Sequence, residues 1–312
     1  MPNLSLFLAS TFLASQPAVD QPAPQQVRSQ ETTEEGPDTI IVEAPPTKLE
    51  RRRELRKMAT KMIRRPRRQL PLGTFFMPIC PEVSGVPADF ARAMEDRMRR
   101  NAKDLGVRVR SSPDCRPNIT VLFVPPEAGP PEKWLDYNSD MLRHLLSFQR
   151  MWVIDEKGPV RAWNVTALRD SDGAPQKRRA GVPTNTSTEV NIANQVRFVS
   201  RLAHNVTMEI LGSFILIELG AANGKSVNQL ADYATMRTFA DTSSVPPGDA
   251  VAAQTIITLF QDEDAPEELT EFDRALISKL YSAPRNSLAR RVYSNVAGRA
   301  VNLEEASNPQ EN

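Results

Sequence analysis

Apolar positions along this chain alternate between a helical and an extended spacing. In "PADFARAMEDRMRRNAKDLG" the side chains of Phe90, Met94 and Met98 recur every four residues, which aligns them on one helix face. Pro87 suits the first turn of that helix and Gly106 its C-terminal cap. Upstream, "TFFMPICPEV" is extended and interrupted by Pro78 and Pro81; downstream, "VRV" and "NITVLFVPP" have strand composition. Together they predict a strand–helix–strand unit. A second helical spacing lies earlier, in "KLERRRELRKMATKMIRRPRRQL", where Leu55, Met58, Ala59 and Met62 form one narrow apolar stripe on an otherwise basic helix that Pro66 ends.

Further along, Asp140 can cap a helix bearing Met141, Leu142, Leu145 and Leu146, with His144 on it. "MWVIDEKGPVRAWNVTAL" predicts a hairpin turning at Glu156-Lys157-Gly158-Pro159, and the polar stretch from Asp170 to Asn194 predicts a long loop. The run "FILIEL" enters a loop from Gly220 to Gly224. There Ser226 and Gln229 form a capping box for a helix that buries Val227, Leu230, Ala234 and Phe239. An acidic stretch, "FQDEDAPEELTEFD", precedes a helix with Thr270 as N-cap, Asp273 three residues on, and Phe272, Leu276 and Leu280 on one face. The pattern fades after residue 285, so residues 286–312 are expected to be a tail. The sum is an α+β body over residues 70–285, preceded by the basic helix at 48–69.

The first 47 residues carry a different pattern. "MPNLSLFLASTFLAS" has an apolar core from Leu4 to Ala14 followed by small residues, the layout of a secretory signal over 1–15. It is too short for a bilayer span, which needs about 20 apolar residues. No Lys or Arg precedes Arg28, so the amino terminus alone supplies the positive charge such signals carry. Residues 16–47, rich in Pro and Gln, lack the apolar content for a core and are expected to be disordered. One island, "DTIIVEAP", is either a short strand that adds to a sheet edge or a contact with an energy-coupling partner of the envelope.

Composition changes this picture in two places. The chain has a net charge of +1, yet Lys48 to Arg68 hold eleven Lys/Arg against Glu50 and Glu54, a balance of +9 that leaves −8 elsewhere. The candidate contacts to an anionic surface are therefore Arg51, Arg52, Arg53, Arg56, Lys57, Lys61, Arg64, Arg65, Arg67 and Arg68. An exported chain meets lipid headgroups before nucleic acid, so the expected partner is an anionic membrane surface or an envelope protein. A solvated helix that merely docks its stripe on the body is the competing reading. The two cysteines, Cys80 and Cys115, flank the first helix, and outside the cytosol a disulfide is their simplest use. A metal site would need further ligands, and a nucleophilic Cys80 would need a partnering His.

Chemistry is sparse. The Gly220–Gly224 loop has three residues where a phosphate-binding P-loop needs four, and Leu219 stands where its first Gly belongs, so neither a nucleotide nor another cofactor is expected. No His-Glu-x-x-His and no Gly-x-Ser-x-Gly occur. Asp262 and Asp264 lack the spacing of a calcium loop. His204, near Glu209, is the one candidate general acid/base group, for a hydrolase of unrecognised type.

The pieces "DTIIVEAP", "PICPEVSGVP", "MEDRMRRNAKDLGV", "DCRPNITVLF", "QLADYATMRTFA" and "LTEFDRALISKLY" resemble an uncharacterised secreted-protein family of Gram-negative bacteria over most of residues 38 to 281. The resemblance implies a signal peptide, a paired cysteine, an α+β body and no established activity. The last piece also resembles the end of a zincin-like domain, whose His-Glu motif has no counterpart here. A non-enzymatic periplasmic or secreted binding module is the expectation, with the hydrolase as its alternative.

Overall fold

One long strand organises the molecule. In the computed structural model, which describes residues 46–64, 70–112, 114–175, 203–244 and 252–307, β5 (Val206–Glu218) pairs with three other strands. Along one edge it takes β4 (Val160–Asp170) antiparallel, with a register shift between Val165 and Thr166. Along the other it takes β1 (Gly73–Phe75) and then β3 (Ile119–Val124), both parallel. β2 (Pro81–Ser84) adds outside β3, again parallel. The chain from Pro46 onward forms one compact α+β unit.

Both faces of the sheet are covered, as parallel strands require. On one face lie α2 (Ala88–Asp104) and α5 (Val227–Phe239), with α1 (Lys48–Met62), α6 (Glu271–Ser282) and α7 (Ala289–Ser307) behind them in the same core. On the other face α3 (Pro131–Tyr137) and α4 (Ser147–Asp155) supply a smaller cluster with Leu135, Val153 and Trp163. α5 is central: every residue from Leu230 to Phe239 is buried. Most of its polar groups find partners there, Arg237 Nε being the exception: Asp232 accepts from Arg97 Nε at 2.8 Å, from Asn101 at 2.6 Å and from the amide of Leu269 at 2.9 Å. That cluster ties α2, α5 and the approach to α6 together.

The local signals hold where they were strongest. The capping box at Ser226/Gln229 forms as expected, Thr270 caps α6 as expected and Asp273 completes a second capping box there, and Leu55, Met58, Ala59 and Met62 are at most 2% exposed. The strand–helix–strand unit is present, closed by the Cys80–Cys115 disulfide. Such a bridge marks a non-cytoplasmic protein. No described helix is long and apolar enough to cross a membrane.

Several expectations are corrected. Met151–Asp155, expected as a strand of a hairpin, is the end of α4; the antiparallel partner of β4 is β5. Burial of Val153 against Leu135, Leu142 and Leu145 decides this in favour of a helix. The helix expected over Asp140–Leu146 is one 3-10 turn, Ser139–Leu142, ahead of α4. "VRV" makes a single bridge, Val109 to Ile79. α1 stops at Met62, before Pro66, because Ile63 bridges Thr242 and the amide of Arg64 donates to the Asp241 carbonyl at 2.9 Å. The expected tail contains α7, whose Val292, Val296, Ala300 and Val301 pack into the core. The leader with "DTIIVEAP", and most of the long loop, lie outside the described residues.

Candidate functional site

The basic helix is divided between two tasks. Its stripe packs on α7, so the flanking cations fall on different sides. Arg51 is held at the α1–α7 contact, where it donates to Glu304 from Nε at 3.0 Å and from Nη2 at 2.8 Å, and also to the Ala252 carbonyl. Arg64, past the helix end, turns into the body. Both are structural. Arg52, Arg53, Arg56 and Lys57 are exposed and make no ion pair among the described residues, and Lys61 is exposed as well. Arg65, Arg67 and Arg68 lie outside the described residues.

Arg64 belongs to a buried cluster. Glu156, at the exit of α4, accepts from Arg64 Nη2 at 2.7 Å, from Arg237 Nη2 at 2.6 Å and from the Ser244 amide at 2.9 Å. Arg237, fully buried on α5, also donates to the Tyr233 hydroxyl at 2.8 Å. Burial alone would push the Glu156 carboxyl up; Arg237 and Arg64 outweigh it and hold it below the usual carboxylate value. A cavity of about 410 Å³, with Lys61, Trp152 and Asp155 in its wall, opens beside this cluster. With both oxygens of Glu156 already engaged, the cluster offers no free base. It is a clamp joining α1, α4 and α5.

The larger cavity, about 610 Å³, is a groove between the start of α1, the end of α6 and the length of α7. Lys48 and Arg52 enter it from α1, Lys279 from α6, and Arg291 and Arg299 from α7, and none of its lining residues among those described is acidic. Lys48 is paired with Glu305 at 2.7 Å. Arg52, Lys279, Arg291 and Arg299 make no ion pair or side-chain hydrogen bond among the described residues. Ser282, Ser287 and Asn295 add neutral donors to the wall. This arrangement can do one thing well, which is to hold an anion.

Of the cations that line this groove, the sequence singled out Arg52 but not Lys279, Arg291 or Arg299. The signal was available in part: Arg291, Asn295, Arg299 and Asn302 recur at helical spacing, which marks one polar face in a stretch otherwise taken for a tail.

Other candidates resolve into structure. Lys225, of the glycine loop, sits over the Phe260 ring at 5.4 Å, and the Ser226 hydroxyl accepts the Gln229 amide at 3.0 Å. The His204 backbone exchanges hydrogen bonds with Asn286, and burial alone lowers its imidazole pKa; no carboxylate contributes. Glu209 is bound to Arg169 instead, at 2.6 Å. Asp262 accepts the amide of Asp264 in an exposed turn, and no metal-ligand cluster is found among the described residues.

No protein-family model, no curated protein and no solved structure matches the chain.

Proposed function

We propose that this is a non-enzymatic binding module of an extracytoplasmic compartment, periplasmic or secreted, which docks on anionic surfaces through the solvent side of α1. One observation carries the reading: once Arg51 and Arg64 are taken by Glu304 and Glu156, Arg52, Arg53, Arg56 and Lys57 remain exposed, outside any ion pair among the described residues, on a helix that is itself firmly docked. Cations held on a rigid support keep their field without an ordering cost on binding. The disulfide and the resemblance to secreted proteins support the compartment.

The test is cosedimentation of the full chain with vesicles of phosphatidylcholine, with and without phosphatidylglycerol. Binding should require the anionic lipid and weaken as salt rises. At about 1 kcal/mol per basic residue near the surface, the triple variant Arg53→Ser/Arg56→Ser/Lys57→Ser should bind about 100-fold more weakly. Equal binding to neutral vesicles, or none to either, would remove the proposal. Deleting the helix is the wrong experiment, because its buried stripe and Arg64 hold the body together.

A further inference from the structure

The charge count of the groove between α1, α6 and α7 narrows its ligand. We propose that the groove binds a group carrying two phosphate monoesters, an inference that rests on the anionic-surface reading above and names the chemistry it recognises. With Lys48 answered by Glu305, the groove holds four cations uncompensated among the described residues: Arg52, Lys279, Arg291 and Arg299. A phosphate monoester carries about −1.5 to −2 charges at neutral pH, so two of them match this set. A single diester, with one charge, leaves most of the mutual repulsion in place. Three of the four cations are arginines, whose planar forks meet phosphate oxygens in pairs.

A second observation points the same way. Gly298 sits within α7, where glycine costs about 1 kcal/mol relative to alanine. A β-carbon there would stand 3.1 Å from Arg52 Nη2 and 3.4 Å from its Cζ. The missing side chain lets the Arg52 guanidinium lie against the backbone of α7 inside the groove. Alanine at this position would press on the guanidinium without changing any charge. The four cations come from three helices, α1, α6 and α7, around one recess, which favours a doubly phosphorylated group over an extended nucleic-acid backbone.

Titration calorimetry on the full chain tests this with soluble inositol bisphosphate, inorganic phosphate and a single-stranded oligonucleotide. Vesicles containing phosphatidylinositol bisphosphate form a separate arm. Inositol bisphosphate should bind at least about 10-fold more tightly than inorganic phosphate, and Arg52→Ser and Arg299→Ser should each cost about 10-fold. Gly298→Ala should weaken binding at unchanged net charge. Arg92→Ser/Arg100→Ser on α2 should leave it unchanged, and circular dichroism should show every variant folded. Tighter binding to the vesicles than to the soluble compound assigns the site to a lipid headgroup; equal binding assigns it to the phosphate groups alone. Three results overturn the proposal: equal affinity for inorganic phosphate, groove variants that bind like the parent chain, or a preference for the oligonucleotide. If those occur while phosphatidylglycerol vesicles still bind, only the ligand assignment falls. If those vesicles fail to bind while inositol bisphosphate does, the surface reading falls and the groove stands.

Discussion

Two sets of arginines in this molecule have opposite surroundings. Around Glu156, Arg237 and Arg64 are nearly or fully withdrawn from water, and both converge on the same carboxylate. In the groove, Arg52, Arg291 and Arg299 are exposed and pair with no carboxylate among the described residues. The first arrangement is closed: both oxygens of Glu156 are engaged by buried donors, so what it specifies is how α1, α4 and α5 fit together. The second is open, and its field is available to whatever enters. The difference teaches that basic residues here must be sorted by their partners before any is assigned to function, since Arg51 and Arg64 come from the same run of sequence as Arg52 and Arg53.

The sharpest way to break this comparison is Glu156→Ala. It strands two buried guanidinium groups and should cost about 3–5 kcal/mol in chemical denaturation. A cost near zero would mean that the cluster is hydrated and that the contrast is false. Replacing both cysteines with serine provides a calibration. Loss of the bridge should cost about 3–4 kcal/mol from loop entropy, and this should add to the Glu156 effect, because the two lie in separate parts of the fold.

A third experiment contrasts carboxylates. Asp273, fully buried at the start of α6, accepts from Thr255, Ile256 and Thr270 but faces no cation among the described residues, and burial pushes its pKa up to about 6. Its folded pKa exceeds the unfolded value of 3.8, so its contribution to stability should fall as pH rises through that window, by at most about 3 kcal/mol. Glu156, held low, acts in the other direction: its contribution is complete above about 4.5 and is lost as pH falls further. Unfolding curves of Asp273→Asn between pH 4 and 6 should lack the slope that the parent chain shows. The smallest effect belongs to the groove. Arg299→Ser should change stability by no more than about 0.5 kcal/mol, because nothing in the fold depends on that charge. A large loss would mean that the groove is structural after all.

Local chemistry was legible in the sequence. The Ser226/Gln229 and Thr270/Asp273 caps, the stripe on α1 and the cysteine pair depend on residues that are close in the chain or unique in it. α4 was misread because Val153 and Ile154 favour strands in isolation, although Phe148 and Trp152 meet edge to face at 5.0 Å, the four-residue spacing of a helix. The Glu156 clamp could not be read at all: its arginines lie 92 and 81 residues away. The groove was legible only as the polar face of α7, because it joins Lys48 to Arg299 and exists only once α1 and α7 have met.

The position of β5 in the chain also sets an order of assembly. Its partners β1, β3 and β4 are all made earlier, and none of them has its main neighbour until the polypeptide has been released as far as Glu218. Both cysteines precede that point. The covalent link can therefore close around α2 while the sheet is still incomplete, so that β2 and β3 are held ready for the strand that arrives last.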